Sequence, residues 1–187
     1  MRHLTISSSC LPKRPVCGQS ARSISLRIHR RLNVSQPRRI LLVNRSLGEG
    51  GTERQVAVVS QALDPARFEV HVAHMGHEGF RADEIRAHGL PLVGFPVRSL
   101  LKPSTLNQGL LLARYVWRNN IELVHSFDVP SNIFTAPFAR LVRGPVVLTS
   151  QRADRRLTPG VRVKLLRFTD RIVSGVVVNC EYMRRHL

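Results

Sequence analysis

Acidic residues are missing from the first 39 positions of this 187-residue chain, a stretch that holds nine basic residues, seven serines and three prolines. One-signed charge and little apolar surface cannot offset the entropy of ordering, so residues 1–38 are expected to form a disordered basic tail. Cysteine is scarce: Cys10, Cys17 and Cys180 are odd in number and lack metal-ligand spacing with the histidines. That argues against a disulfide framework and a zinc site, and for free thiols in a reducing compartment. No metal and no cofactor is expected. No apolar run approaches the ~20 residues that span a bilayer. No continuous apolar segment follows the first basic residues, which argues against a secretory signal. Aromatics make up 5% of the chain, too few for a base-stacking surface, and no recognition motif for nucleic acid occurs, so no specific nucleic-acid partner is expected.

What the chain does have is positive charge, +17 in all and nearly all arginine, since Lys13, Lys102 and Lys164 are the three lysines. Three readings of the tail stay open. It is a bland basic arm, or a transit-like leader rich in Arg and Ser, or an arm lying on an anionic membrane. The last rests on Ile24, Ile28 and Leu32, which recur every four residues with Arg27, Arg30 and Arg31 elsewhere on the wheel.

Beyond the tail, short apolar runs alternate with amphipathic stretches. Strands are predicted at Ile40–Asn44, Phe68–Ala73, Leu92–Phe95, Ile121–His125, Val146–Thr149 and Val176–Val178. Between them, helices are predicted over Thr52–Leu63, Phe80–His88 (closed by Gly89), Leu106–Trp117, Asn132–Val142 and Val161–Ile172, with a last one opening at Glu181 behind Asn179 as cap. Leu106, Leu110, Ala113 and Trp117 form one apolar stripe, with Trp117 as a core anchor. Val161, Leu165, Phe168 and Ile172 form another. Pro137 is expected to kink its helix or delay its start. Such alternation implies an α/β, Rossmann-like parallel sheet with helices on both faces, whose ligands bind at the carboxyl ends of the strands.

The loop leaving the first strand reads SLGEGGTERQ and places Gly48, Gly50 and Gly51 at the start of a helix. Thr52 with Gln55 fits a capping box. Glycines permit positive φ and close approach, and a helix N-terminus favours an anion such as phosphate. A tight strand-to-helix turn is the simpler alternative. GxGxxG fails at Glu53, and GxxxxGK[ST] is absent.

RILLVNRSLGEGGTERQV resembles the opening of the retaining, GT-B-type glycosyltransferases of family 4. ELVHSFDVPSNI is similar to their fourth strand and its exit loop, VVLTSQRADRR to their fifth, and VVVNCEYMRRHL to their "vvaNSexvrxxL" segment. The four segments occur in the family's order and spacing over Arg39–Leu187. The resemblance implies that residues 39–187 are the N-terminal, acceptor-side half of a two-domain GT-B architecture, truncated or split from a donor-binding domain. It implies a nucleotide-sugar donor and a glycan or lipid-linked acceptor, and it admits a separate donor-domain chain and an anionic membrane surface as partners. It implies a cytoplasmic location and admits peripheral attachment to the inner face of a membrane.

Carried over by residue, the resemblance sets Gly50 and Gly51 against the donor diphosphate and His125 as the catalytic candidate facing the cleft near the sugar. Arg152 would bind an acceptor anion or brace the cleft. The plain alternatives are a half-buried His125 bonded to a backbone carbonyl and a solvated Arg152. Many relatives carry a second histidine two residues on, where this chain has Phe127. Asp128 reads as a helix cap.

Overall fold

The computed structural model describes residues 36–100, 102–152 and 160–185, so the readings of residues 1–35 lie outside the described residues. In chain order the elements are β1 (Arg38–Asn44), α1 (Gly51–Ala62), β2 (Phe68–His74), α2 (Phe80–Ala87), β3 (Leu92–Gly94), α3 (Pro103–Arg118), β4 (Leu123–Ser126), α4 (Val129–Leu141), β5 (Val146–Gln151), α5 (Gly160–Ile172), β6 (Gly175–Val178) and α6 (Glu181–Arg185). The strands form one six-stranded sheet in the order β3-β2-β1-β4-β5-β6, every pairing parallel. The protein is therefore an α/β, Rossmann-like unit. Its strand order reverses at β1, which opens a crevice outside the carboxyl ends of β1 and β4.

β1 explains why the sheet is layered on both sides. It lies between β2 and β4, and its apolar residues run continuously instead of alternating. Leu41 and Val43 join the core beneath α3, α4 and α5, with Leu112, Val116, Phe134 and Ala139. Ile40 and Leu42 join the core beneath α1 and α2, with Val56, Ala57, Ala82 and Ile85. β1 begins at Arg38, two residues before the predicted start, because the Arg38 amide donates to the Arg67 carbonyl at 2.8 Å. Gly89 follows α2 with φ of +70°, the left-handed conformation expected of a glycine that ends a helix.

Two helices are rotated from the predicted phase. In α3 the buried residues are Thr105, Gly109, Leu112, Ala113 and Val116, whereas Leu106 and Leu110 face outward and Trp117 is 69% exposed. Trp117 is thus not a core anchor. The reason lies at Gly109, where a β-carbon would sit 2.2 Å from the Phe138 ring. The small residues at 105, 109 and 113 let α4 approach the α3 backbone, and together with Leu112 and Val116 they define the inward face. α5 shifts likewise: Leu166 and Thr169 are buried, while Val161 and Phe168 are exposed.

α4 starts at Val129, earlier than predicted, and carries Pro137 inside it. Asp128 fixes that start through a capping box: its carboxylate accepts the Ser131 amide at 2.8 Å, and the Ser131 hydroxyl accepts the Asp128 amide at 3.2 Å. The first turn is settled before Pro137 is reached. α6 opens at Glu181, and the Arg184 amide donates to the Cys180 carbonyl at 3.2 Å, so Cys180 occupies the cap position predicted for Asn179.

Candidate active site

The crevice is walled by the loop after β1 and the turn after β4. The first loop is held from both sides. The Arg45 amide donates to the Asp128 carboxylate at 3.1 Å, and the Arg81 amide donates to the Leu47 carbonyl at 2.9 Å. The buried Asn44 amide side chain donates to the Ser46 carbonyl at 2.9 Å. A β-carbon on Gly79 would lie 2.9 Å from the Gly48 Cα, so the loops after β1 and β2 meet backbone to backbone.

α1 begins at Gly51, with Gly50 in the cap position at φ −66° and ψ 163° and with no side-chain cap. The predicted capping box of Thr52 and Gln55 is therefore not formed: Thr52 already lies in the first turn. Nor do these glycines use positive φ, which among the described glycines occurs at Gly89 and Gly144. What they supply is the absence of a side chain. A β-carbon on Gly51 would meet nothing within 4 Å, so the space before the helix is open, and the amides of the first turn lack intrahelical acceptors. Glu53 also sits in this turn, held by the Ser46 hydroxyl at 2.9 Å, with its carboxylate against Gly50. Its negative charge already interacts with the helix dipole, so an incoming anion meets a partly neutralised terminus.

β4 and β5 provide the opposite wall. The His125 Nε2 lies 2.8 Å from the Ser150 Oγ, and its ring stacks on Phe127 with centroids 4.3 Å apart. The Arg152 guanidinium covers Phe127 at 5.3 Å and donates to Gln55 Oε1 on α1. Phe127 is thus the spacer between His125 and Arg152. Behind it runs a buried polar chain: Ser126 Oγ donates to Asn132 Oδ1 at 2.7 Å, and Asn132 Nδ2 donates to the Ser150 carbonyl at 2.8 Å.

Burial, followed by the positive charge of Arg152, lowers the His125 pKa to about 4. The ring is therefore neutral at neutral pH and can exchange hydrogen bonds with a hydroxyl, but it supplies no cation. Burial also lowers the Arg152 pKa, a guanidinium still charged at any ordinary pH. Burial raises the Asp128 pKa against the opposing hydrogen bonds of Ser131 and Arg45.

The family model for Glycosyltransferase Family 4 matches residues 49–187. The chain belongs to Glycosyltransferase Family 4. This family 4 domain is similar in fold to MurG of Acinetobacter baumannii, with a TM-score of 0.57 and 14% identity over 76% of this chain and 41% of that one. It is also similar to a glycosyltransferase from Rickettsia africae ESF-5, with a TM-score of 0.58 and 14% identity over 80% of this chain and 39% of that one. The domain thus spans about two-fifths of the length of these solved structures. No curated protein matches it.

In the family 4 domain the sequence-predicted residues divide into two walls. Gly50 and Gly51 stand on the α1 side, and His125 and Arg152 on the β4–β5 side. The bond from Arg152 to Gln55 ties the walls together. His125 has a side-chain hydroxyl as its partner, not the backbone carbonyl considered from the sequence. Ser150, Gln55 and the chain of Ser126 and Asn132 escaped the sequence reading. A signal for Ser150 was present, because it stands two residues before Arg152 and strand periodicity sends both to one side. Among the described residues, no cluster of His, Cys, Asp or Glu could hold a metal ion.

Proposed function

We propose that this domain is the acceptor-side half of a retaining glycosyltransferase, moving a sugar from a nucleotide-sugar to a glycan or lipid-linked acceptor. The observation that carries this reading is the start of α1, open at Gly51 and joined through Gln55 to Arg152 across the switch-point crevice. Gly51 lets the donor diphosphate approach the helix amides. Arg152 is held where it braces the cleft and adds positive charge. The neutral His125 exchanges a hydrogen bond with a sugar hydroxyl. Stabilising the departing diphosphate with preorganised donors and cations is the largest contribution such a site can make.

Transfer also requires donor and acceptor in one orientation, which supplies on the order of 7–11 kcal/mol in favourable cases. In this proposal a donor-binding domain, on the same or a separate chain, holds the nucleotide-sugar, and the 187 residues alone are inactive. The test uses the purified chain with common nucleotide-sugars and lipid or glycan acceptors, and calorimetry for donor binding. We expect no transfer and no tight donor binding, with transfer appearing on addition of a donor domain. Micromolar donor affinity, or turnover by the chain alone, would overturn this reading.

A peripheral membrane location at the cytoplasmic face fits a lipid-linked acceptor. Among the described residues, no helix is long and apolar enough to cross a membrane. Binding of nucleic acid through the +17 charge is the competing reading. Against it, nine of the 29 basic residues lie in the first 39 positions and aromatics are 5% of the chain, too few for a base-stacking surface.

A further inference from the structure

The histidines of the sheet differ in the kind of partner their rings meet. His71 on β2 lies 2.7 Å from the Tyr115 hydroxyl through Nδ1 and 3.3 Å from a Glu69 carboxylate oxygen through Nε2. His125 meets the Ser150 hydroxyl. A hydroxyl can donate or accept, so each of these rings makes its bonds while neutral. His74, the buried last residue of β2, has no such freedom. Its Nδ1 lies 2.9 Å from the Gly76 carbonyl and its Nε2 lies 3.1 Å from the Glu78 carboxylate. A carbonyl and an ionised carboxylate only accept. Both bonds therefore exist together only when both ring nitrogens carry hydrogen, as in the imidazolium. Glu78 is kept ionised by Arg86, whose guanidinium is bonded to it and holds its carboxyl below the usual carboxylate range. The charged groups that meet the ring are thus Glu78 directly and, through it, Arg86 and Asp83 of α2. β1 and β3 set the uncharged Asn44 and Gly94 opposite His74 in register, and a β-carbon on Gly94 would lie 3.1 Å from the ring.

The ring therefore holds the loop between β2 and α2, residues 75–79, at two points. That loop in turn supports the one that carries the glycines. The Met75 amide lies 3.2 Å from the carbonyls of both Asn44 and Arg45, and the Leu47 amide donates to the His77 carbonyl at 3.4 Å. A β-carbon on Gly76 would lie 3.2 Å from the Arg45 carbonyl oxygen, and one on Gly79 would lie 2.9 Å from the Gly48 Cα. These are contacts of backbone on backbone, with no flexible side chain to absorb a displacement, so a shift of residues 76–79 is passed to Leu47 and Gly48. Residues 47–50 lead directly into the start of α1. When His74 gives its proton to solvent, one nitrogen sets a lone pair against an oxygen, and the loop is released at Gly76 or at Glu78.

We propose that His74 is a positioning residue for the glycine loop: its protonated ring, bonded to Gly76 and Glu78, fixes residues 75–79 and through them the approach to α1, and loss of that proton loosens the approach. The proposal rests on the diphosphate-approach reading for its purpose, but its test needs no sugar transfer. The full chain is followed by nuclear magnetic resonance from about pH 5.5 to about pH 8.5, the range in which an imidazole exchanges its proton. The exposed His77 is changed to Gln in every sample, so that no second ring titrates on the same loop. We expect both His74 ring nitrogens to carry protons at the low end and one to lose its proton as the pH rises. The amide resonances of Gly48, Gly50 and Gly51 should move along the same curve. Glu78→Gln is the deciding variant. Its amide can donate to Nε2 while Nδ1 still donates to Gly76, so a neutral ring keeps both bonds. The glycine resonances should then stay near their low-pH positions across the whole range. Glu78→Ala, which offers the ring nothing, should lose the pH dependence without holding those positions. The Glu78 side chain is 44% exposed, so far-ultraviolet circular dichroism should be unchanged in both variants. Glycine resonances that stay still while His74 titrates would overturn the proposal, as would the same titration persisting in Glu78→Gln. So would a His74 ring whose protonation does not change over the range. None of these results touches the sugar-transfer reading, which stands or falls on the donor-domain assay.

Discussion

His125 offers a prediction whose size follows from its surroundings. The ring is largely buried against Phe127 and bonded to Ser150, with the Arg152 charge nearby. Its pKa falls from 6.5 to about 4 on folding. At about 1.4 kcal/mol per unit, that shift corresponds to about 3 kcal/mol. Above pH 6.5 the ring is neutral in both the folded and unfolded chain, and it adds no pH dependence. As the pH falls from 6.5 towards 4, the unfolded chain takes up a proton that the folded chain refuses, so stability falls. Below about 4 both states are protonated and the loss is complete. The assay is urea denaturation from pH 7.5 to pH 4 on the chain and on His125→Gln, taking the difference so that other titrating groups cancel. The wild-type chain should lose about 3 kcal/mol more than the variant, a large part of the ~5–15 kcal/mol that holds a typical domain together. In Arg152→Gln the effect should shrink but persist, because burial is the larger cause and the arginine charge the smaller. Parallel stability curves for wild type and His125→Gln would refute the reasoning. So would a histidine ring resonance for residue 125 that titrates near 6.5.

Two further outcomes follow from the same geometry. Gly51→Val should leave the circular dichroism and thermal midpoint of the domain nearly unchanged, since the added β-carbon meets nothing within 4 Å, yet it should abolish sugar transfer in an enzyme complete with its donor domain; undiminished transfer would exclude the diphosphate-approach role. Deletion of residues 1–35 should leave the thermal midpoint nearly unchanged by calorimetry, whereas extending the deletion through Arg38 should lower it, because the Arg38 amide is bonded to Arg67.

The sequence by itself determined the layer architecture and the edge of the sheet where chemistry belongs. Apolar runs at Ile40–Val43 and Val176–Val178, separated by amphipathic stretches, demand a parallel sheet covered on both faces, and ligands follow to the strand ends. Asp128 as a cap and Gly89 as a stop were legible because both act through backbone groups a few residues away. The orientation of α3 and α5 was not legible. Periodicity points the large apolar residues inward, but the closest-packed face of α3 is its smallest one, at Thr105, Gly109 and Ala113, and nothing local announces that Phe138 will fill the space above Gly109. The capping of α1 was misread for a related reason: Thr52 and Gln55 fit a local motif, but Gln55 is taken by Arg152, 97 residues away. The crevice itself was only half visible. His125, Phe127 and Arg152 could be named from strand ends, but Ser150 was missed, and the stack depends on the register that sets His125 opposite Leu148. That register is a tertiary decision, fixed by which strands share a core, and it turns four residues from two separate segments into one wall, tied to α1 through the bond from Arg152 to Gln55.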